Sequence, residues 1–224
     1  MGSGARTSGG LILAVLLASS LFSTNNALGD TITYQALIAP MPTDWDQFVT
    51  VPKFDPGTGT LDFVVVRLSA SYQAQILAEN RAANPANLTA WLDQTVILTP
   101  PSSLAALSTI ASIPPSTQPV APYDGIPFTG PDTAIWSLGP AQLSAQQTFT
   151  GADLSPFIGA GAVSLHAVGT AQFLVTSDGG AFATQLTSQS GAQVDVEYHF
   201  TIPEPATIAL LVFGVGAISR RRSS

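Results

Sequence analysis

The side chains able to do bond-making or ligand chemistry are few. The 224-residue chain has two histidines, His166 and His199, and no cysteine. A thiol nucleophile, a disulfide framework and a thiolate-held metal are therefore excluded. Asp195, Glu197 and His199 recur at every second position. In a strand this sets three ligand types on one face, about 6.8 Å apart. That is too wide to grip one ion without a neighbouring strand, so the three are weak metal candidates. Asp44-Trp45-Asp46, and Asp55 with Asp62 around a glycine-rich turn, are weak Ca²⁺ candidates. The chain has neither an EF-hand loop nor a Ca²⁺-binding nonapeptide repeat. Solvated carboxylates and no bound cofactor are the expectation.

His166 shares a strand face with Ser164, and His199 with Asp195 and Glu197. Neither comes with a strand–turn–helix nucleophile motif, so no catalytic residue is assigned and a non-enzymatic protein is expected. Trp45, Trp91 and Trp136, with Tyr72 and Tyr123, are the aromatics that a sugar-stacking platform would use. Such residues more often pack in a core or at its rim. Asn87-Leu88-Thr89 matches a glycosylation sequon, a weak match by pattern alone.

These residues sit on elements whose period is two. Val64, Val66, Leu68, Ala70 and Tyr72 alternate with Phe63, Val65, Arg67, Ser69 and Ser71. Val163 to Val175 and Val194 to Phe200 alternate in the same way, the mark of half-buried strands. Further strands are expected at 31–38, 48–51, 73–78, 88–99, 134–138, 148–151 and 182–187. Turn chemistry separates them: Asp55-Pro56-Gly57, the stretch from Asn80 to Asn87, Asp124-Gly125, Gly130-Pro131-Asp132 and Asp178-Gly179-Gly180. The last reads as a hairpin turn, and 154–158 as one short helical turn. The proline-punctuated stretch 100–122 reads as a long surface connection with a short helix at 103–112. The expected fold class is all-β, an antiparallel β-sandwich at 30–202.

Charged residues make up 9% of the chain, against about 25% in ordinary globular proteins. One lysine and three glutamates leave no composition for a coiled coil. The formal charge of −7 argues against nucleic acid as a partner. Much of the apolar excess lies at the two ends. Residues 1–29 read as a signal peptide: Arg6, the apolar run from Leu11 to Phe22, then small residues at Ala27 and Gly29 for signal peptidase. Cleavage is expected after Gly29, or after Ala27. At the other end, Pro203-Glu204-Pro205 precedes an uncharged apolar run at 206–219 and then Arg220, Arg221 and Arg222. That run makes a helix of about 21 Å, a marginal span of a hydrocarbon core of about 30 Å. The arginines set its end on the cytoplasmic side.

This three-part tail, at 203–224, resembles the PEP-CTERM sorting signal of Gram-negative bacteria. The resemblance implies recognition by an exosortase, a membrane cysteine protease-transpeptidase that removes the tail. It also implies release or attachment at the surface of a cell that makes an exopolysaccharide matrix. The prolines suit that processing, because they keep the segment extended and stop the helix running upstream.

The middle of the chain is similar to the choice-of-anchor E domain. The residues carrying this likeness are Thr31-Ile32-Thr33-Tyr34, Val51-Pro52-Lys53-Phe54-Asp55-Pro56, Gly59-Thr60-Leu61, Glu79-Asn80, Phe128-Thr129-Gly130-Pro131 and Gly159-Ala160-Gly161-Ala162-Val163. It implies a bacterial surface β domain without established enzymatic activity.

The expected protein is an exported, non-enzymatic surface or matrix protein. Its signal-peptide helix and transmembrane sorting helix flank the β domain. It passes through the inner membrane as a precursor and ends at the cell surface or in the extracellular matrix. Its expected partners are the export machinery, signal peptidase, an exosortase and exopolysaccharide. An adhesion or carbohydrate-binding module is the first alternative. A hydrolase of matrix polymers is the second, and would need a cleft with two carboxylates about 5–9.5 Å apart. With both ends removed, thirteen acids face the three bases Lys53, Arg67 and Arg81, a net charge of about −10.

Overall fold

The computed structural model describes residues 28–202, apart from Ser103. Ala27, the sorting motif Pro203-Glu204-Pro205, the 206–219 run and Arg220–Arg222 lie outside the described residues. Among those described, no helix is long and apolar enough to cross a membrane. Gly29–Thr201 forms one compact unit.

Eight strands carry it: β1 (Leu28–Pro42), β2 (Trp45–Pro52), β3 (Thr60–Asn80), β4 (Ala86–Thr99), β5 (Leu107–Val120), β6 (Thr133–Thr150), β7 (Ala162–Ser177) and β8 (Phe182–Ile202). One 3₁₀ helix, Gly151–Phe157, leads from β6 to β7. The strands form two four-stranded sheets, ordered β1-β8-β3-β6 and β2-β7-β4-β5. β3 pairs antiparallel with β6 and β8, and β7 pairs antiparallel with β2 and β4. The all-β, antiparallel expectation holds. Gly29, the expected cleavage position, lies in the exposed start of β1.

The alternating residues point where their period places them. Val64, Val66, Leu68 and Ile76 of β3 are fully buried, as are Val194, Val196 and Tyr198 of β8. Leu88, Leu92, Val96 and Leu98 of β4 and Leu165 of β7 are buried from the other sheet. One apolar cluster draws on both sheets, joining Val66, Leu68 and Val196 to Val96, Leu98 and Leu165. A second cluster groups Ile76, Ala78 and Trp136 with Leu88, Ala90 and Leu92. Each fully buried side chain of this size contributes roughly 1.5–3 kcal/mol.

Polar ties also run between the sheets. Tyr72 of β3 donates its hydroxyl to the Thr109 carbonyl of β5 at 2.8 Å. Tyr198 of β8 donates to the Pro52 carbonyl of β2 at 2.8 Å. Burial pushes both phenols above the usual tyrosine range. Trp45 of β2 donates from Nε1 to Ser190 Oγ of β8 at 2.9 Å, and Trp136 of β6 to Ser116 Oγ of β5 at 2.8 Å.

Three expectations need correction. Residues 107–120 are a strand, β5, not a helix in a surface connection. Leu107, Thr109, Ala111 and Ile113 alternate inward along it. β5 is an edge strand, where proline costs no interior ladder bond. Pro114 and Pro115 stand together opposite Trp91, between the pairs Ala90–Ser116 and Leu92–Ile113, which is bulge geometry.

The segments 134–138 and 148–151 likewise belong to one strand, β6, and 73–78 continues β3. β6 is also an edge, and Gly139 and Pro140 stand opposite the single residue Gln73. The segment 182–187 continues into β8 in the same way.

Asp178-Gly179-Gly180 is not a hairpin turn. β7 pairs with β4 and β2, whereas β8 pairs with β3, so this turn carries the chain from one sheet to the other.

Candidate functional site

The outer face of the first sheet carries the Asp195, Glu197 and His199 series. Asp195, Glu197 and His199 lie along β8 at alternate positions, opposite Arg67, Val65 and Phe63 of β3. All three are half-buried. Glu197 lies between two nitrogen side chains: Arg67 Nη1 is 3.3 Å from its Oε1 and His199 Nε2 is 3.5 Å from its Oε2. Asp195 accepts from Gln35 Nε2 of β1 at 2.9 Å and from Gln193 Nε2 at 3.2 Å. His199 pairs with Thr31 Oγ1 through Nδ1 at 3.1 Å, and its ring stacks on Phe63 with centroids 4.2 Å apart.

These contacts are cross-strand pairs of the kind that hold a sheet in register. They do not converge on one empty point. No group of three or more histidine, aspartate or glutamate side chains placed to hold a metal ion occurs among the described residues. Asp195 and Glu197 project from a sheet face, which is not the cleft that a pair of glycosidase carboxylates needs.

Further along the same face the surface changes character. The bulge opposite Gln73 breaks the regular pairing of β3 with β6, and three shallow hollows adjoin there. One, of about 380 Å³, is lined by Gln73, Gln75, Ser137, Thr187 and Gln189. Gln189 donates from Nε2 to Gln73 Oε1 at 2.9 Å across the strands. The next hollow, of about 140 Å³, shares Gln73 and Gln189 and adds Pro40, Ser71 and Pro140. The third, of about 170 Å³, shares Pro40 and Ser71 and adds Leu37, Ser69, Gln142 and Gln193. Together they make a trench across the sheet whose polar groups are amides and hydroxyls, with no charged side chain lining it. Such a lining offers donors and acceptors side by side.

The other predicted residues are scattered. His166 lies on the outer face of the second sheet, where Nε2 pairs with Asp46 Oδ1 at 2.6 Å and the ring stacks on Phe48. Ser164 stands opposite Thr50. Asp44 accepts from the Ala171 amide at 3.0 Å, so Asp44 and Asp46 serve different partners. Asp55 accepts from the Gly57 amide within its own turn. Asp62 falls at a register shift between the pairs Leu61–Phe200 and Phe63–His199. Of the five aromatics, Trp45, Trp136 and Tyr72 are buried in the core, and Trp91 and Tyr123 are half-buried. Asn87 is taken up by Asp178, whose Oδ2 accepts from its side-chain amide at 2.8 Å.

No family model matches the chain, and no curated protein matches it. Among solved structures it is similar to that of the infectious bursal disease virus Gx strain, at 10% identity and a TM-score of 0.14, over 80% of this chain and 42% of that one. It is also similar to the VP2 subviral particle of the same virus, at 13% identity and a TM-score of 0.16, over 89% and 50%. The chain thus spans half or less of those chains. TM-scores this low show no shared architecture.

The glutamine trench was not among the residues singled out by sequence reasoning. Its signal was present, since Gln73 and Gln75 alternate with Ala74 and Ile76, and Gln189 and Gln193 lie on the polar face of β8. Nothing local says that these strands are neighbours.

Proposed function

We propose that the chain is an exported, non-enzymatic cell-surface or extracellular-matrix protein of a Gram-negative bacterium. Its 30–202 unit is a β-sandwich of the choice-of-anchor E kind. A signal peptide delivers it, and an exosortase processes it through its tail. The observation that carries this reading is the ordered run of Pro203-Glu204-Pro205, the apolar 206–219 segment and Arg220–Arg222. The two-layer reading is supported by the apolar cluster shared between the sheets and by the tyrosine and tryptophan ties across it.

The trench on the outer face of the first sheet is the contact for exopolysaccharide. Amide and hydroxyl side chains exchange hydrogen bonds with sugar hydroxyls. The acidic unit, at about −10, repels an anionic polymer, so a neutral glycan fits best.

Two measurements test this. In the native host, Glu204→Ala leaves a full-length, membrane-retained form; processing that proceeds as in the unaltered chain removes the sorting reading. Separately, the protein is retained on the host's neutral exopolysaccharide, and Gln73→Ala with Gln189→Ala releases it. Equal retention of that variant would remove the trench reading and leave the sorting one standing.

A further inference from the structure

The loop from β5 to β6, residues 121–132, holds a pair of carboxylates with an unusual arrangement. Asp132 is completely buried. Its Oδ2 accepts from the Asp124 amide at 3.0 Å, while its Oδ1 is buried without a hydrogen-bond partner. A buried carboxylate oxygen left in this state costs several times what an ordinary hydrogen bond contributes.

A second carboxylate lies near the orphan oxygen. Gly130, at φ +86°, lies between the two: a methyl group there would collide with Asp124 Oδ2 and touch Asp132 Oδ1 at 3.4 Å. Both carboxylates therefore face the same small volume beside the Gly130 backbone. Asp124 is otherwise exposed, and its Oδ1 accepts from the Ile126 amide at 2.8 Å. Among the described residues no base pairs with either carboxylate. The nearby Arg81 is committed to the buried Glu79 and to the Tyr123 hydroxyl.

The loop is nevertheless firmly held. Ala121 donates to the Pro131 carbonyl at 2.9 Å, Tyr123 to the Ala82 carbonyl at 3.0 Å, and Asn80 to the Asp132 carbonyl at 2.9 Å. Two carboxyl groups brought together around an unpartnered buried oxygen, in a loop this constrained, offer oxygen ligands to a cation. We propose that Asp124 and Asp132 bind Ca²⁺ beside Gly130. Ca²⁺ is the cation of choice because it takes oxygen ligands in irregular geometry and accepts backbone carbonyls and water alongside few carboxylates. Mg²⁺ demands a closer and more regular shell. Gly130 keeps the volume free, which no residue with a Cβ would do.

The test is Ca²⁺ titration of the purified full chain, followed by calorimetry and by thermal melting against a chelator-treated sample. One Ca²⁺ binds per chain with a dissociation constant in the range of extracellular modules, about 0.1–1 mM, and melting rises with added Ca²⁺. Asp124→Asn, at an exposed position, keeps the acceptor for the Ile126 amide and removes the charge; it weakens Ca²⁺ binding at least about tenfold, the loss expected for one of two anionic ligands. Asp132→Asn weakens it further. Absence of heat and of any melting shift up to about 10 mM Ca²⁺ overturns the proposal. So does unchanged affinity in Asp124→Asn, or an equal response to Mg²⁺.

Discussion

Gln94 crosses from β4 in the second sheet to the first and donates from Nε2 to the Gln189 carbonyl of β8 at 3.3 Å. It is fully buried, and the same nitrogen lies 3.5 Å from the Gln73 carbonyl of β3. Gln73 is the residue opposite the β6 bulge, so the strut meets the first sheet beneath the trench and beside its irregular pairing. It follows that the trench floor depends on a side chain from the opposite sheet.

Gln94→Ala should therefore cost stability and trench function together. Losing the Nε2 contacts and opening a small cavity amounts to about 2–4 kcal/mol. Urea unfolding would register a lower midpoint at unchanged slope, and glycan retention would fall along with it. A midpoint equal to that of the unaltered chain would show that the strut carries no load.

Trp45 and Gly169 form a second close fit. A methyl on Gly169 would lie 2.6 Å from Trp45 Cζ2, inside any normal carbon contact. Gly169→Ala should lose about 1–3 kcal/mol through overpacking. Combining it with Trp45→Phe, whose ring is smaller, should recover part of that loss. A double-mutant cycle measured by urea unfolding reads the coupling directly.

The two tie tyrosines predict an alkaline transition. Tyr72 and Tyr198 have phenols raised by burial, so their neutral forms are favoured in the folded chain. Their contribution is complete below the unfolded tyrosine value of about pH 10 and is lost as pH rises through the folded values. Phenolate absorbance should rise in two phases after an alkaline jump, with the slower phase matching the unfolding rate. Tyr72→Phe should reduce the slow amplitude and cost about 1–3 kcal/mol, because Thr109 loses its partner.

Asp178 gives the opposite sign at the acid end. Its carboxyl accepts from the Asn87 amide at 2.7 Å and from the Asn87 side chain at 2.8 Å. Those bonds hold its pKa below the usual aspartate value. The stabilisation is full above about pH 4 and disappears as pH falls through the depressed folded value. Asp178→Asn should lower the melting temperature at neutral pH and should make less difference in strong acid. A gap that stays constant from neutral to acid pH would assign the effect to shape, not charge.

The direction of side chains was legible in the sequence. Alternation in Val64–Tyr72 and Val194–Phe200 places Val66 and Val196 inward and Arg67 and Glu197 outward, because successive residues of a strand face opposite ways. The prolines misled for a related reason. Pro114, Pro115 and Pro140 remove ladder donors, which reads locally as a break. They are harmless here because β5 and β6 are edges, and an edge is a property of the sheet, not of the strand.

By itself, then, the sequence determined the all-β class and the inward and outward faces of its strands. Only the tertiary structure decided which strands are neighbours. Period two is the same whatever strand lies alongside, so Asp178-Gly179-Gly180 looked like a hairpin until β7 and β8 fell into different sheets. The same holds for the sites. Gln73 and Gln189 stand 116 residues apart in the chain, and they meet because β3 and β8 pair. Asp124 and Asp132 are close in sequence, but the orphan oxygen of Asp132 arises from burial against the rest of the fold, which no local pattern records.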